Sequence, residues 1–359
     1  MRNFRVYIPI IIGLIFILSS LTFYKVMQNS STRPEKPSFI QSAIIGGMED
    51  VTPVNKLRSS WLLLMGGGSD VTPAFSEHAF PKIKVGNVLV LRESGGMAYN
   101  DYFASIAKYQ SVANVETILV DSVDAANSEY VSWAIDHAEM IWFAGGNQTN
   151  VLNTWRGSKL QEHIQQAVRR GVILGGTSSG LTILSEEIYA PPSEYRGSTG
   201  EEALLDPYNM RMTTQPRFLE FQQFEKINLL IDGHTSQRER QGRVMALLSR
   251  KIVEEQDFSW KMLALDEETA VFLNPEAVGV VITQQENAQV MLFCADDHTI
   301  FNVVEKGKPL NVQNLAVWEF KNGDTIDLNR KPQSEPVRYS TNGNGRFTVV
   351  IPNENALKE

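Results

Sequence analysis

The sequence predicts an α/β fold in which a mostly parallel sheet carries helices on both faces. Short, continuous apolar runs alternate with segments whose apolar residues recur at helical spacing. The runs lack the polar–apolar alternation of a half-exposed strand, so each is expected to be buried on both faces. Several runs end in glycine-rich turns, and ligands of such sheets bind beyond the carboxyl ends of the strands.

The predicted sheet begins at Trp61. Its first strand covers 61–65 and ends in Gly66–Gly68, and further strands are predicted at 88–91, 115–120, 140–143, 172–174, 227–231 and 262–265. Helices are predicted between them around Tyr102 and Phe103, from Ser128 to His137, from Leu160 to Val168 and from Arg238 to Arg250. The alternation of strand and helix favours parallel pairing.

The pattern changes in two places. Between 186 and 221, prolines and glycines interrupt it, and this excursion is either the lid or rim of a binding cleft or a passive insertion. Beyond residue 270, short strand-like runs separated by turns predict a β-rich region. We therefore expect an α/β domain at 60–275 followed by a β-rich C-terminal region at 276–359.

The N-terminus predicts export. Arg2 and Arg5 precede an apolar run at 6–24, which is the order of charge and hydrophobicity in a secretory signal. No alanine occurs before Ala43, so an A-x-A cleavage site is absent, and the run is about long enough to span a bilayer. A cleaved signal and an uncleaved anchor within 1–27 both stay open. Either places the rest of the chain in the periplasm or outside the cell, after a predicted linker at 28–59.

Composition narrows the function. The chain of 359 residues is 43% hydrophobic and carries a formal net charge of −8, so it is globular and a poor general binder of nucleic acid. Its single cysteine, Cys294, lies in an apolar run and is expected to be a buried, inert thiol. The five histidines are scattered and no CxxC pair occurs, which argues against a metal site.

The turn at 176–180 is the strongest local candidate for chemistry. A predicted strand enters the sequence Gly-Thr-Ser-Ser-Gly, and apolar residues at helical spacing follow it. This is the pattern of a nucleophile elbow, with Ser178 as the nucleophile and the Ser179 amide as an oxyanion donor. The pattern is short, so an ordinary strand-to-helix turn is also compatible with it.

A serine nucleophile needs a general base, best a histidine that a carboxylate orients. Of the five histidines, only His234 lies at the carboxyl end of a predicted sheet strand, where the Ser178 turn also lies. Glu267 occupies the same end of the next strand. The three residues form a candidate triad in the order Ser, His, acid, which differs from the Ser, acid, His order of α/β-hydrolases.

At these motifs the sequence resembles the cyanophycinase and aspartyl dipeptidase family of serine peptidases, over roughly residues 61–270. The resemblance rests on five motifs in order: Gly66–Gly68, Gly145-Gly146-Asn147-Gln148, Gly176–Gly180, Asp232-Gly233-His234 with arginines after it, and Leu265–Ala270. It implies a flavodoxin-like fold, shared with class I glutamine amidotransferases, and no cofactor. It also implies that Ser178 is the nucleophile, His234 the base and Glu267 the acid.

The resemblance further implies a substrate site. It makes the Gly146 amide a second oxyanion donor and places Gln148 and Asp232 beside the substrate. It adds three substrate-binding arginines, Arg238, Arg240 and Arg243. Arginine binds carboxylates in a bidentate manner, which suits a substrate with a free carboxylate near the scissile bond.

From the residues alone, the three arginines have a competing interpretation. They also fit a solvated helix face on which they pair with Glu239. On an ideal helix Arg240 and Arg243 are neighbours, whereas Arg238 points elsewhere, so at most two of them are expected to share one role.

Two positions depart from the family pattern. Gly233 stands where the family has glutamine, which is expected to remove an amide side chain near the pocket, and Ser179 replaces the usual alanine. Both leave the candidate triad intact. The exact substrate therefore stays open.

The sequence thus predicts an exported serine hydrolase that cleaves aspartyl peptides. Cyanophycin, a poly-aspartate with arginine on each β-carboxyl, is the sharpest candidate substrate, and β-aspartyl-arginine dipeptides are the expected product. Two alternatives stay open: an aspartyl or isoaspartyl dipeptidase without activity on the polymer, and a surface-anchored binding protein that has lost catalysis. The expected partners are the peptide or polymer, with a homodimer and a single membrane anchor left open.

Overall fold

The computed structural model describes residues 32–47, 57–83, 85–107 and 112–352. The predicted signal or anchor at 6–24 lies outside these residues. Within the described ranges, no helix is long and apolar enough to cross a membrane. The sheets and helices that follow all belong to one unit that begins at Phe39.

The strands of the described residues are, in chain order, β1 (Gln41–Gly46), β2 (Trp61–Met65), β3 (Gly86–Arg92), β4 (Val112–Leu119), β5 (Met140–Phe143), β6 (Ile173–Thr177), β7 (Glu187–Tyr189), β8 (Thr214–Pro216), β9 (Leu229–Asp232), β10 (Lys261–Leu265), β11 (Thr269–Leu273), β12 (Val278–Thr283), β13 (Val290–Cys294), β14 (Ile300–Val303), β15 (Asn311–Gln313), β16 (Leu315–Phe320), β17 (Thr325–Asp327), β18 (Val337–Thr341) and β19 (Phe347–Val350).

The α-helices are α1 (Phe80–Ile83), α2 (Tyr99–Ile106), α3 (Val123–Ala126), α4 (Glu129–Asp136), α5 (Gln148–Trp155), α6 (Lys159–Arg170), α7 (Ser179–Thr182), α8 (Gly200–Leu205) and α9 (Gln241–Glu255). A π-helical turn covers Ala74–Ala79, and a 3-10 turn covers Gln222–Phe224.

The first sheet has the strand order β1-β4-β3-β5-β6-β2-β11-β12-β17. Its five central strands, β4, β3, β5, β6 and β2, are parallel, and the outer pairs are antiparallel. Leu62 and Leu64 face a core that includes α4, α5 and α6, whereas Leu63 and Met65 face a second core with α1 and α2. The sheet is therefore buried on both faces, which explains its continuous apolar runs and confirms the predicted fold class.

A second sheet has the order β19-β18-β16-β13-β10-β9, and of these pairs only β9 and β10 are parallel. The expectation that 227–231 and 262–265 continue the first sheet is therefore wrong. Local periodicity identified both strands but carries no information about their partners. The β10 strand pairs with β13, whose apolar residues Leu292 and Cys294 share a core with Leu62 and Leu64 of the first sheet.

Two predicted domain limits need correction. Within 28–59, predicted as a linker, β1 pairs along its whole length with β4, because its isoleucines suit a strand despite the surrounding polar residues. Within 276–352, β12 and β17 extend the first sheet while β13, β16, β18 and β19 extend the second. The β-rich part therefore shares both sheets with the preceding residues and does not form a layer of its own.

The excursion at 186–221 is a folded element. Strands β7 and β8 pair in an antiparallel manner, and α8 packs on α9 through Ala203 and Leu204, which join a core with Val244 and Leu248. A complete capping box at Thr199 and Glu202 fixes the start of α8. This framework holds the intervening loop 190–198 at one edge of a cavity that Tyr195 and Gly197 line.

Candidate active site

Ser178 occupies the predicted sharp turn between β6 and α7. Its backbone has φ 56° and ψ −116°, a conformation that a side chain rarely adopts. A Cβ at Gly176 would lie 2.3 Å from the Gly180 carbonyl oxygen, and a Cβ at Gly180 would lie 2.1 Å from the Phe143 carbonyl oxygen. Both positions must therefore be glycine, and this explains the glycines that bracket the serine.

The elbow differs in detail from its prediction. The strand β6 continues to Thr177, beyond the expected end at Leu174, because Gly175 and Gly176 stay paired with β2. The helix α7 ends at Thr182, and Ile188, which has helical spacing from Leu181 and Leu184, lies in β7. The elbow is thus one short helical turn after a longer strand.

The structure brings Ser178, His234 and Glu267 together. The His234 Nε2 atom lies 2.6 Å from the Ser178 Oγ atom, and its Nδ1 atom hydrogen-bonds to the Glu267 carboxylate. This geometry suits a neutral imidazole that donates Nδ1–H to Glu267 and accepts the serine hydroxyl proton at Nε2. The His234 side chain is only 5% exposed, so solvent competes little for these bonds.

The three residues meet where the two sheets join. His234 follows β9 of the second sheet, and its amide donates to the Gly66 carbonyl at the end of β2 in the first sheet, at 2.8 Å. Glu267 lies in the connection from β10 to β11, which passes from the second sheet to the first. There the Glu268 amide donates to the Gly67 carbonyl at 2.8 Å. The Gly66–Gly68 loop therefore anchors both the histidine and the carboxylate.

The environment keeps the His234 imidazole neutral. Burial lowers the pKa of His234 below its usual 6.5, the hydrogen bond to Glu267 opposes this, and the charges of Arg238 and Arg240 lower the pKa further. A histidine with a lowered pKa is unprotonated at neutral pH. It can therefore accept a proton from the adjacent serine hydroxyl.

Two backbone amides are available next to the serine. The loop Gly145-Gly146 passes close to it, since a Cβ at Gly145 would lie 3.3 Å from the Ser178 Cβ atom. Among the described residues, neither the Gly146 amide nor the Ser179 amide donates to a protein acceptor. Both residues also line the cavity above Ser178. Their predicted roles as oxyanion donors are compatible with this placement.

A cavity of about 240 Å³ opens above Ser178 and His234. Five of its lining residues come from the excursion, namely Tyr189, Pro191, Tyr195, Arg196 and Gly197. The excursion therefore forms a wall of the cavity and is not a passive insertion.

Four arginines also line the cavity: Arg196, Arg238, Arg240 and Arg243. In an acidic chain, this concentration of cations favours an anionic ligand.

Asp232 and Arg243 form a buried ion pair in the lining of the cavity. Each side chain is 2% exposed, and the Arg243 guanidinium binds the Asp232 carboxylate through Nε at 2.9 Å and Nη2 at 2.7 Å. The guanidinium also lies over the Tyr189 ring, 4.4 Å from its centroid. The two charges neutralise each other, and both residues line the cavity, so their role in binding substrate stays a prediction.

Arg238 and Arg240 are the cations that face the cavity beside the base. Arg240 donates to the Gly233 carbonyl at 2.8 Å, and burial lowers its pKa to about 10, which leaves it charged at neutral pH. The Arg238 Nε atom lies 3.5 Å from the Glu267 carboxylate, and its side chain is half exposed. Both precede α9, which begins at Gln241 and not at Arg238 as expected. No arginine of the described ion pairs binds Glu239.

The structure also shows where Gln148 and Gly233 lie relative to the cavity. The Gln148 side chain lines the cavity, but its Nε2 donates to the Tyr189 carbonyl at 3.1 Å, so its carbonyl oxygen is the group left for a ligand. A Cβ at Gly233 would lie 2.5 Å from the Gly66 carbonyl oxygen and 3.3 Å from Leu181 Cδ2. A side chain at 233 would therefore point into the protein interior, and the expectation that glycine empties part of the pocket is wrong.

Glu93, which follows β3, lies at the site although no motif predicted it. Its Oε1 atom accepts from the Asn147 amide at 2.8 Å, next to Gly146. Its position at the end of a strand, beside glycines, was the only feature of the sequence that could have identified it.

Cys294 is buried as predicted, and burial raises the pKa of its thiol to about 12. The described residues contain no cluster of three or more His, Cys, Asp or Glu that could hold a metal ion.

Comparisons with known proteins place the chain in a family. The sequence model of Peptidase family S51 matches residues 94–281, which is more than half of the chain. A cyanophycinase from Geminocystis herdmanii is 25% identical over 234 residues, covering 64% of this chain and 77% of that protein. The crystal structure of a peptidase from an acI-B1 Actinobacterium has a TM-score of 0.45 and 15% identity, over 76% of this chain and 98% of that one. Because the family model matches more than half of its residues, the chain belongs to Peptidase family S51 and is a serine-type peptidase.

Proposed function

We propose that this peptidase hydrolyses bonds at aspartyl residues of aspartyl-containing peptides and that its substrate is cyanophycin, which it cleaves to β-aspartyl-arginine dipeptides. The observation that carries the proposal is the hydrogen-bonded chain Ser178–His234–Glu267 beside Arg238 and Arg240. The similarity to a cyanophycinase supports the choice of polymer.

In the proposed mechanism, the Ser178 Oγ atom attacks the scissile carbonyl carbon while His234 Nε2 accepts the hydroxyl proton. The resulting oxyanion receives hydrogen bonds from the amides of Gly146 and Ser179. The Glu267 carboxylate stabilises the imidazolium and fixes its orientation. His234 then transfers the proton to the leaving amine, and the acyl group stays bound to Ser178.

Hydrolysis of the acyl enzyme reverses these roles. His234 accepts a proton from a water molecule, whose oxygen attacks the ester carbon and forms a second oxyanion at the same amides. Collapse of this intermediate breaks the bond to Ser178 Oγ, which recovers its proton from His234. The products are a carboxylic acid and an amine, and no oxidant or metal takes part in this balance.

The substrate carboxylate gives Arg238 and Arg240 their proposed role. Each lies beside the base and faces the cavity, so a carboxylate near the scissile bond would be held in register with Ser178. Arg240 is largely desolvated, which strengthens its interaction with an anion relative to a cation in open water. A neutral peptide would leave Arg240 with only its protein partners, the Gly233 carbonyl and the Asp232 carboxylate at 3.8 Å.

The test compares substrates on one purified enzyme. Insoluble cyanophycin, short α-aspartyl and isoaspartyl peptides, and the same peptides with asparagine in place of aspartate are supplied side by side. Release of β-aspartyl-arginine from the polymer is the expected result, and the Ser178→Ala variant should release none. Full activity of Ser178→Ala would contradict the mechanism. Cleavage of the short peptides without release from the polymer would support the dipeptidase alternative.

We also propose that the enzyme acts outside the cytoplasmic membrane, directed there by residues 6–24. The order of charge and hydrophobicity at the N-terminus supports this proposal. Cell fractionation, with mass spectrometry of the mature N-terminus, tests it. A new N-terminus after residue 24 indicates a cleaved signal, an intact N-terminus in the membrane fraction indicates an anchor, and full-length protein in the cytosol contradicts export.

A further inference from the structure

The peptide group that joins Gly146 and Asn147 is held at both of its polar ends. The Asn147 N–H donates to the Glu93 Oε1 atom at 2.8 Å. The Gly146 carbonyl accepts from the Ser179 hydroxyl at 2.5 Å. These two bonds come from different strand ends, β3 and β6, and together they fix the plane of this peptide group.

The loop has little freedom to move in any other direction. A Cβ at Gly146 would lie 2.6 Å from Glu93 Oε1, so the carboxylate is packed directly against the glycine. The same Glu93 oxygen accepts from the Ser94 hydroxyl at 2.8 Å, which limits its own rotation. On the far side, the Asn147 side chain caps α5 by accepting from the Thr149 amide at 2.9 Å.

Gly146 lines the cavity, and its N–H has no protein acceptor among the described residues. Oxyanion stabilisation depends on donors that are already in place before charge develops, because reorganisation would consume the gain. A displacement of the loop would move this donor relative to Ser178. The two bonds on the neighbouring peptide are therefore well placed to control the donor's position.

We infer that Glu93 and the Ser179 hydroxyl are positioning residues that hold the Gly146 amide in the oxyanion hole. Ser179 then has two functions, since its own amide is the other donor and its hydroxyl fixes the loop that carries the first. Alanine at position 179 would keep the amide and lose the hydroxyl bond. The inference rests on the proposed serine mechanism and adds to it the origin of its oxyanion geometry.

The variants Ser179→Ala and Glu93→Ala test the inference. Each is expected to lower kcat by about tenfold or more with little change in KM, since loss of a whole oxyanion donor costs about 100- to 1000-fold. The affinity for an aspartyl peptide aldehyde, which forms a hemiacetal with Ser178, should weaken by the same factor as kcat/KM. Affinity for the dipeptide product should not change. Glu93→Gln keeps an oxygen that can accept from Asn147 and should recover most of the activity.

Ser60→Ala is the matched control. The Ser60 hydroxyl also donates to a backbone carbonyl, that of Val168 at 2.8 Å, and it is buried away from the cavity. A purely structural effect would lower thermal stability in Ser60→Ala and Ser179→Ala alike and leave kcat unchanged in both. That outcome, or a Glu93→Gln variant as slow as Glu93→Ala, overturns the inference.

A serine-directed fluorophosphonate separates this inference from the proposed function, because its reaction with Ser178 needs no known substrate. Its P=O oxygen takes up the developing charge in the same oxyanion hole. If the parent enzyme is not labelled, the serine mechanism itself fails. If the parent is labelled and Ser179→Ala and Glu93→Ala react at the same rate, only the positioning role fails.

Discussion

Gly67 and His234 are packed so closely that any side chain at position 67 would enter the imidazole ring. A Cβ there would lie 2.2 Å from the His234 Cε1 atom and 2.4 Å from Nε2. The Gly67 backbone also has φ 107°, which glycine adopts without strain. The glycine loop after β2 thus leaves the space that the base occupies.

Gly67→Ala is therefore expected to displace His234 and to lower kcat/KM about 100-fold or more, because a shift of about 1 Å in a reacting group has that effect. Gly96→Ala is the matched control, since no atom lies within 4 Å of its modified position and its φ is not positive. Steady-state kinetics with a thermal unfolding curve for each variant checks the prediction. Normal kinetics in Gly67→Ala would contradict the packing.

The pH profile should report the lowered pKa of His234. Because the base must be unprotonated, kcat/KM is expected to rise with pH and to reach half its plateau below pH 6.5. Arg238→Ala removes a charge that lowers this pKa, so its acid limb should move to higher pH. Glu267→Gln removes a group that raises it, so its limb should move to lower pH, with kcat reduced by about 10⁴-fold. An acid limb above pH 6.5 in the parent enzyme would contradict the assignment.

The Asp232–Arg243 pair should matter for stability. Arg243→Ala removes the bidentate partner of a buried carboxylate and leaves it only Arg240 at 3.8 Å, which is expected to lower the free energy of unfolding by about 3 kcal/mol. Arg330→Ala, which breaks the exposed pair with Asp327, should change it little. Urea unfolding measures both. If the two variants were equally stable, the ion pair would contribute little to stability, and Arg243 would be free to bind substrate.

Arg196 should distinguish long from short substrates. It lies on the excursion wall of the cavity, is well exposed, and pairs with Glu202 at 2.6 Å. Arg196→Ala is expected to raise KM several-fold for the cyanophycin polymer, which carries a carboxylate on each arginine, in line with about 1 kcal/mol for a partly exposed charge contact, and to leave KM for a dipeptide unchanged. Arg211→Ala removes the other partner of Glu202 outside the cavity and is the control. An equal effect on both substrates, or the same effect in Arg211→Ala, would contradict a wall contact.

The sequence predicted the local features of the fold and of the site well. The elbow at Ser178 follows from glycines two residues to either side, and the five parallel strands follow from apolar runs that are buried on both faces. The grouping of Ser178 with His234 and Glu267 followed from strand ends and from family resemblance. The grouping holds although β9 and β10 pair in the second sheet and not, as predicted, in the first.

What the sequence could not predict was pairing over long separations. The placement of β9 and β10 in a second sheet depends on β13 and β16, which lie far along the chain. Arg243 is buried against Asp232. Nothing in the spacing of Arg238, Arg240 and Arg243 indicates which of the three arginines is the buried one. Likewise, the direction of a side chain at Gly233 depends on the backbone of Gly66, a neighbour only in the folded chain.

The division of the site between two sheets has a consequence for biosynthesis. The parallel strands that support Ser178 all precede it in the chain, whereas His234 depends on a sheet completed by β13 and β16, at Val290–Cys294 and Leu315–Phe320. During vectorial synthesis the nucleophile is therefore made long before its base can be held in place. The hydrogen bond between Ser178 and His234 is therefore expected to form late in folding, after the strands of the second sheet have paired.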